Sequence, residues 1–154
     1  MSILRLLRWG TTRSPWLLHF NTGGCNGCDI EVLAAITPLY DPERLGVKLT
    51  PSPRHADILI VTGVVTKKVA ERLKRIYDQI PEPKVVIAVG TCAISGGVFR
   101  GSYSHAHGVD KVIPVDVYVP GCTPRPDMII KGIVEAVRIL NEKARKIVQE
   151  APVR

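Results

Sequence analysis

The stretch DILIVT, residues 57–62, is apolar on both sides of the pleat that a β-strand would give it. KVVIAV, residues 84–89, is a second largely apolar stretch of strand length, and a helical pattern of apolar residues over residues 66–79 lies between the two. Strands that are apolar on both faces and alternate with helices are typical of a parallel sheet that helices cover on both sides.

The same alternation extends along the chain in both directions from this centre. Further strands are predicted over residues 16–20, 47–50 and 115–119, and further helices over residues 29–36 and 126–148. Because crossovers between successive parallel strands are right-handed, the pattern predicts an α/β domain with a flavodoxin-like parallel sheet flanked by helices. Residues 93–114 lack clear periodicity and are predicted to form a functional loop.

Length and composition fit one compact domain. A chain of 154 residues with 45% hydrophobic content has enough apolar side chains for a substantial core, so residues 1–154 are expected to form one domain with residues 1–14 as a short N-terminal amphipathic segment. No apolar run reaches the length of a transmembrane helix, and Arg5, Arg8 and Arg13 interrupt the first apolar segment. We expect a cytoplasmic protein.

The formal net charge of +7 raises the question of nucleic-acid binding. The basic residues, however, spread along the two predicted helices 66–79 and 126–148, with no aromatic patch or recognised nucleic-acid module beside them. Solvated helix faces explain this pattern, as does attraction of acidic partner subunits. No nucleic-acid partner is expected.

Four cysteines occur in glycine-containing turns, with the spacing C-x2-C-x63-C-x29-C. Cys25 and Cys28 follow the predicted strand 16–20, Cys92 follows strand 84–89, and Cys122 follows strand 115–119. Because the carboxyl ends of parallel strands meet at one edge of a sheet, the four thiols are expected to converge there. In a reducing cytoplasm such cysteines are expected to be metal ligands and not disulfides.

Four thiolates from separate turns are the usual ligand set of a [4Fe-4S] cluster, and an all-cysteine zinc site is the competing interpretation. Structural zinc sites usually pair their cysteines in two close C-x2-C turns, whereas this chain has one such pair and two isolated cysteines. The pattern therefore favours a cluster at the carboxyl ends of the strands.

Four segments carry a resemblance to a known family: CNGCDIE (25–31), SPRHADILIVTG (52–63), GTCAISGGVF (90–99) and VDKVIPVDVYVPGCTPRPD (109–127). The chain resembles the small, cluster-carrying subunit shared by energy-converting membrane-bound [NiFe] hydrogenases and respiratory complex I. The separation of Cys25 and Cys28 by two residues resembles the hydrogenase branch, because the complex I subunit typically has two adjacent cysteines.

The resemblance implies an electron-transfer subunit that holds one [4Fe-4S] cluster through Cys25, Cys28, Cys92 and Cys122 and has no active site of its own. Its implied partners are a catalytic large subunit with a [NiFe] site, a ferredoxin-like iron-sulfur subunit and membrane-arm subunits. The implied complex is an ion-translocating hydrogenase, with this chain peripheral on the cytoplasmic side of the membrane. A related complex that reduces sulfur compounds or quinone is the alternative, followed by a zinc-stapled binding module.

Two further residues are candidates for roles near the cluster. Glu31 lies three residues after Cys28 and is predicted in the first turn of helix 29–36, where it either favours the helix start or moves protons near the cluster or the large-subunit interface. Arg54 resembles an arginine near the cluster in the complex I branch. It either tunes the cluster electrostatically or is an exposed loop charge.

Overall fold

A computed structural model describes residues 13–150. These residues fold around a five-stranded parallel sheet. The strands are β1 (Trp16–Asn21), β2 (Lys48–Leu49), β3 (Ile58–Thr62), β4 (Val85–Val89) and β5 (Val117–Val119). They lie in the order β2-β1-β3-β4-β5, and every neighbouring pair is parallel. This is the strand order of flavodoxin-like folds, so the predicted fold class is confirmed.

Within residues 13–150, four α-helices connect or follow the strands: α1 (Gly27–Ile36), α2 (Lys67–Gln79), α3 (Thr91–Ser95) and α4 (Pro126–Glu150). Short 3-10 turns occupy Pro42–Leu45, Pro53–His55, Gly97–Phe99 and Val109–Lys111. The amphipathic segment predicted for residues 1–14 lies, apart from its last two residues, outside the described residues. No helix within residues 13–150 is long and apolar enough to cross a membrane.

Helices cover both faces of the sheet, as the apolar strands require. Every residue of β3 and β4 is buried, and alternate side chains enter two separate cores. Ile58 packs in the core that α1 and α4 close, while Leu59 packs in the core that α2 closes with Leu73. Each fully buried aliphatic side chain contributes about 1.5–3 kcal/mol. The two cores therefore fix the strand ends, and the turns that follow them, relative to one another.

Two aspartates fix where the strands pair. The backbone N–H of Trp16 donates to Asp57 Oδ2 at 2.9 Å, and the N–H of Val86 donates to Asp116 Oδ2 at 2.9 Å. Lys143 of α4 donates to the other oxygen of Asp116 at 2.7 Å. Desolvation by burial raises the pKa of the Asp57 carboxyl, and the hydrogen bond from Trp16 partly offsets that rise. Each carboxylate thus satisfies a strand N–H group where backbone pairing begins.

The structure differs from the predicted elements in two places that matter for the site. Helix α1 begins at Gly27 and not at residue 29, because Asn26 before it has the left-handed φ of 65° that ends the preceding turn. The segment 93–114 is more ordered than its composition indicates. It contains most of α3, two 3-10 turns and the fully buried Val109.

Candidate metal centre

The turn after β1 carries the first two cysteines and is folded by one side chain. The backbone N–H groups of Gly23 and Gly24 donate to Asn21 Oδ1 at 2.7 and 3.0 Å. The chain then enters α1, so Cys25 lies in the turn and Cys28 in the first turn of the helix. Cys25 is exposed, whereas Cys28 is partly buried.

The other two cysteines follow β4 and β5, and hydrogen bonds hold their turns together. The N–H of Gly90 donates to the carbonyl of Val119 at 2.9 Å, and the N–H of Thr91 donates to the carbonyl of Gly121 at 2.9 Å. The Thr91 hydroxyl donates to the same Gly121 carbonyl at 3.1 Å. Cys92 and Cys122 therefore project from adjacent strand ends that cannot move independently.

All four cysteines line one pocket at the carboxyl edge of the sheet. The strand order reverses between β1 and β3, and this is where parallel α/β sheets bind their ligands. The pocket is also lined by residues at the end of β3, among them Thr62 and Gly63. Cys92 is partly buried like Cys28, and Cys122 is exposed like Cys25. Two thiols therefore form the floor of the pocket and two its rim.

Burial and the neighbouring sulfurs raise the pKa values of the two floor thiols. Burial is the largest cause that raises the pKa of Cys28 to about 11, and the charges of Cys92, Cys25, Asp29 and Cys122 add to it. Burial also raises the pKa of the Cys92 thiol, followed by the charges of Cys122 and Cys25. Thiols that resist ionisation in this way release their protons when a cation binds them.

Glycines leave room for the sulfurs. A β-carbon on Gly97, which has a φ of +52°, would lie 3.0 Å from Cys92 Sγ. A β-carbon on Gly27 would lie 2.7 Å from a methyl carbon of Thr123 and 3.5 Å from Cys25 Sγ. Larger residues at either position would fill the space beside the thiols. Because these two glycines have no side chain, the pocket keeps open space beside the cysteine sulfurs.

The donor set fits an iron-sulfur cluster. Four thiols without a carboxylate or imidazole ligand among them are the set that [4Fe-4S] clusters use. Within residues 13–150, no three His, Cys, Asp or Glu side chains are close enough together to hold one metal ion. A single zinc ion would need its sulfurs about 2.3 Å from one centre. In a cubane each thiolate binds a different iron atom, so its sulfurs are further apart.

The two other predicted site residues, Glu31 and Arg54, lie on α1 and in the turn before β3. Glu31 is partly buried on α1, in the second turn, because the earlier start of the helix leaves Asp29 as the acidic residue of the first turn. Arg54 is exposed in the 3-10 turn Pro53–His55 before β3. Among the described residues that line the cysteine pocket, neither Glu31 nor Arg54 occurs.

Sequence reasoning missed a polar network beside the cysteines. The carboxylate of Asp29 lies against His19, Asn21 and Thr62, which come from β1 and β3. Asn21 and Thr62 are direct partners in the pairing of these two strands. One sequence signal could have indicated this network. His19 and Asn21 are two residues apart and therefore lie on one face of β1, near its carboxyl end.

The fold and the pocket define a flavodoxin-like α/β protein with a four-cysteine site at the strand ends. Residues 25–136 match the family described as NADH ubiquinone oxidoreductase, 20 Kd subunit, and the chain belongs to this family. The matched region contains all four cysteines and runs from β1's turn into α4. The resemblance inferred from the four sequence segments is thereby confirmed.

Individual relatives are subunits of oxidoreductase complexes. The chain is 56% identical to the probable membrane-bound hydrogenase subunit mbhJ of Pyrococcus furiosus over 140 residues, which cover 91% of this chain and 82% of the relative. It is 46% identical to formate hydrogenlyase subunit 7 of Escherichia coli over 131 residues. That match covers 85% of this chain and 51% of the relative, so the chain spans about half the length of that protein.

A solved structure supports the same relationship. A chain in the membrane-bound sulfane sulfur reductase, an archaeal respiratory membrane complex, superposes with a TM-score of 0.77 and is 39% identical. The superposition covers 89% of this chain and 76% of that chain. The hydrogenase and the sulfane sulfur reductase therefore both contain a relative of this protein.

Proposed function

We propose that this chain is an electron-transfer subunit and that Cys25, Cys28, Cys92 and Cys122 hold its one [4Fe-4S] cluster. The observation that carries the proposal is the arrival of all four thiols, from three strand-end turns, in one pocket. When bound, such a cluster gains and loses single electrons, at a potential set by its ligands, hydrogen bonds and exposure. The oxidoreductase complexes of its relatives support this role.

The unequal burial of the thiols supports a site that faces a partner. Cys28 and Cys92 anchor the cluster from below, while Cys25 and Cys122 stand at the protein surface. Electron transfer between proteins requires a short path, and the exposed rim leaves that path open. The same rim leaves a bound cluster accessible to solvent until another subunit covers it.

Exposed apolar side chains in the segment that follows Cys92 support the presence of a covering subunit. Gly97, which lies against Cys92, is followed directly by Val98, which is 89% exposed. Tyr103 in the same segment is also 89% exposed. Large apolar side chains so fully exposed, in a segment that otherwise packs on the core, are typical of a surface that another protein buries.

The function that these features support best is electron transfer inside a membrane-bound, ion-translocating [NiFe] hydrogenase. In this proposal the chain passes electrons between a ferredoxin-like iron-sulfur subunit and the catalytic large subunit, which contains the hydrogen-converting site. The chain itself contributes no active site. It is peripheral, on the cytoplasmic side of the membrane, and membrane-arm subunits anchor the complex. The similarity to the hydrogenase subunit of Pyrococcus furiosus favours this assignment.

The similarity to the sulfane sulfur reductase favours a second candidate. In that case the same chain and cluster would serve a complex that reduces sulfur compounds or quinone and has no nickel. The partner subunit decides between the two candidates. Nickel bound stoichiometrically to the co-purified large subunit supports the hydrogenase, and its absence together with sulfur reduction supports the alternative.

The test is anaerobic purification of the complex through a tag on this chain, in wild-type form and with Cys28→Ser or Cys92→Ser. The wild-type complex should show the electron paramagnetic resonance signal of one more reduced [4Fe-4S] cluster than either variant, with about four fewer iron atoms in each variant. Ser95→Ala, an exposed side chain of α3, is the control. Stoichiometric zinc in place of this iron would refute the proposal.

A further inference from the structure

Asp29 is held beside the cysteines by three side chains of the sheet. The His19 Nε2 atom lies 2.9 Å from Asp29 Oδ1, and the Thr62 hydroxyl donates to the same oxygen. The Asn21 amide donates to the other oxygen, Asp29 Oδ2. Only 14% of the Asp29 side chain is exposed, and Thr62 is fully buried. The carboxylate therefore has a fixed position with little water around it.

This arrangement is not helix capping. The residue before α1, Asn26, makes no side-chain bond to the helix, and the hydrogen bonds described for Asp29 all go to β1 and β3. Asp29 follows Cys28 directly in the chain. It also lines the same pocket as Cys28 and the other three cysteines. The negative charge of Asp29 therefore lies beside the thiols.

Asn21 links this charge to the cysteine turn. Its carbonyl oxygen accepts the N–H groups of Gly23 and Gly24, while its amide group donates to Asp29 and, at 3.2 Å, to Asn26 Oδ1. The residues on both sides of Cys25 are therefore bonded to the side chain that holds Asp29. Any movement of the carboxylate relative to the thiols would break several of these bonds.

We propose that Asp29 lowers the reduction potential of the cluster held by the four cysteines. The inference rests on the proposed function. Reduction adds one electron, supplied by the reductant of the titration, to a site that already carries thiolate charge. A fixed carboxylate beside Cys28 repels that electron, and partial burial limits the screening of the repulsion by water. Asp29 acts on the cluster through space and binds none of its iron atoms.

The test is a redox titration of the anaerobically purified complex, followed by electron paramagnetic resonance of this chain's cluster. Asp29→Asn should shift the midpoint potential to a less negative value without loss of iron. Asp29→Glu keeps the charge and should stay nearer to the wild-type potential. Asp78→Asn removes the same charge from an exposed site near the far end of α2 and should leave the potential unchanged.

A second variant tests the inference independently of how well Asp29→Asn retains its cluster. Thr62→Val removes one donor to Asp29 while the side-chain shape and the carboxylate charge remain. With less of its charge offset, Asp29 should repel the electron more strongly, so the potential should become more negative. Opposite shifts in Thr62→Val and Asp29→Asn are the signature of an electrostatic role, which loosened packing alone would not produce.

Three outcomes would overturn the inference. They are an unshifted potential in Asp29→Asn at normal iron content, equal shifts in Asp29→Asn and Asp29→Glu, and a potential in Thr62→Val that is unchanged or less negative. The proposed function is judged separately, on the wild-type complex. If the wild-type chain holds no cluster, both proposals fail. If it holds one and Asp29→Asn does not shift its potential, only the role of Asp29 fails.

Discussion

Gly90 lies so close to Cys28 that a β-carbon on Gly90 would stand 2.5 Å from the Cys28 sulfur. Gly90 also has a φ of +89°, which residues with a side chain rarely adopt. The backbone that leaves β4 therefore forms part of the wall against which Cys28, in the first turn of α1, packs. The start of α1 and the turn after β4 are distant in sequence, and they pack against each other at this glycine.

Gly90→Ala should reduce the iron content of this chain severely, because the new methyl group displaces the Cys28 sulfur. Gly101→Ala is a matched control, since Gly101 has the same φ of +89° but no atom within 4 Å of its β-carbon position. The control should cost only the backbone strain of about 1–2 kcal/mol. Iron analysis and thermal unfolding of both variants make the comparison. Equal iron loss in both would show that strain, and not the Cys28 contact, is responsible.

The raised pKa of Cys28 predicts slow chemical modification of the metal-free chain. A thiol with a pKa of about 11 is roughly one part in a thousand thiolate at pH 8, and only the thiolate reacts. Since the protonated form is favoured until the pH approaches that value, alkylation of Cys28 should accelerate about tenfold per pH unit between pH 7 and 10. Mass spectrometry of pulse-alkylated protein measures the rate at each cysteine.

Unfolding supplies the control for this measurement. In guanidinium chloride burial disappears, so Cys28 and the exposed Cys25 should react at similar rates. In the folded chain Cys25 should react first. Equal rates for the two thiols in the folded chain would contradict the predicted pKa effect of burial.

Val98→Asp should weaken the binding of the partner subunit that covers the cysteine rim. A charge placed in an apolar contact loses its hydration, and a tenfold or greater loss of affinity, about 1.4 kcal/mol, is expected. Ile147→Asp is the control, because Ile147 is also an exposed apolar residue, 44% exposed, but lies near the distant end of α4. The measurement is the yield of large subunit that co-purifies with each tagged variant at equal expression. It should fall for Val98→Asp and stay at the wild-type level for Ile147→Asp.

Glu31→Gln separates a structural role from a functional one. The structure places Glu31 beyond the first turn of α1, where a carboxylate gains less from the helix dipole, so the stability of the variant should change by about 0.5 kcal/mol or less. If Glu31 moves protons or shapes the interface, hydrogen evolution by the complex should fall about tenfold at normal iron content. An unchanged rate would remove Glu31 from the mechanism.

The sheet was predictable from the sequence because its central strands have no exposed face. DILIVT and KVVIAV were placed within one residue of β3 and β4, since a fully buried strand needs apolar residues throughout. Strand β5 was predicted too long at its start. Asp116 pairs with Val86 through its side chain as well as its backbone N–H, so regular strand pairing begins at Val117, two residues after the predicted start.

The convergence of the four cysteines in one pocket also followed from the sequence, because parallel strands end at one edge. The surroundings of the thiols did not follow. The contact of Asp29 with Thr62 depends on the pairing of β1 with β3, and the contact of Gly90 with Cys28 depends on the packing of α1 against the sheet. Neither relationship leaves a periodic pattern in the chain.

Strand β5 has only three residues and lies at the edge of the sheet, yet it delivers one of the four thiols. Short edge strands open more readily than central ones, so Cys122 follows a strand whose local opening free energy is smaller than that of β3 or β4. A ligand that binds all four thiols must keep β5 paired with β4. Occupancy of the pocket and protection of the Val117–Val119 amides from hydrogen exchange are therefore thermodynamically linked. A rise in occupancy should slow the exchange of these amides.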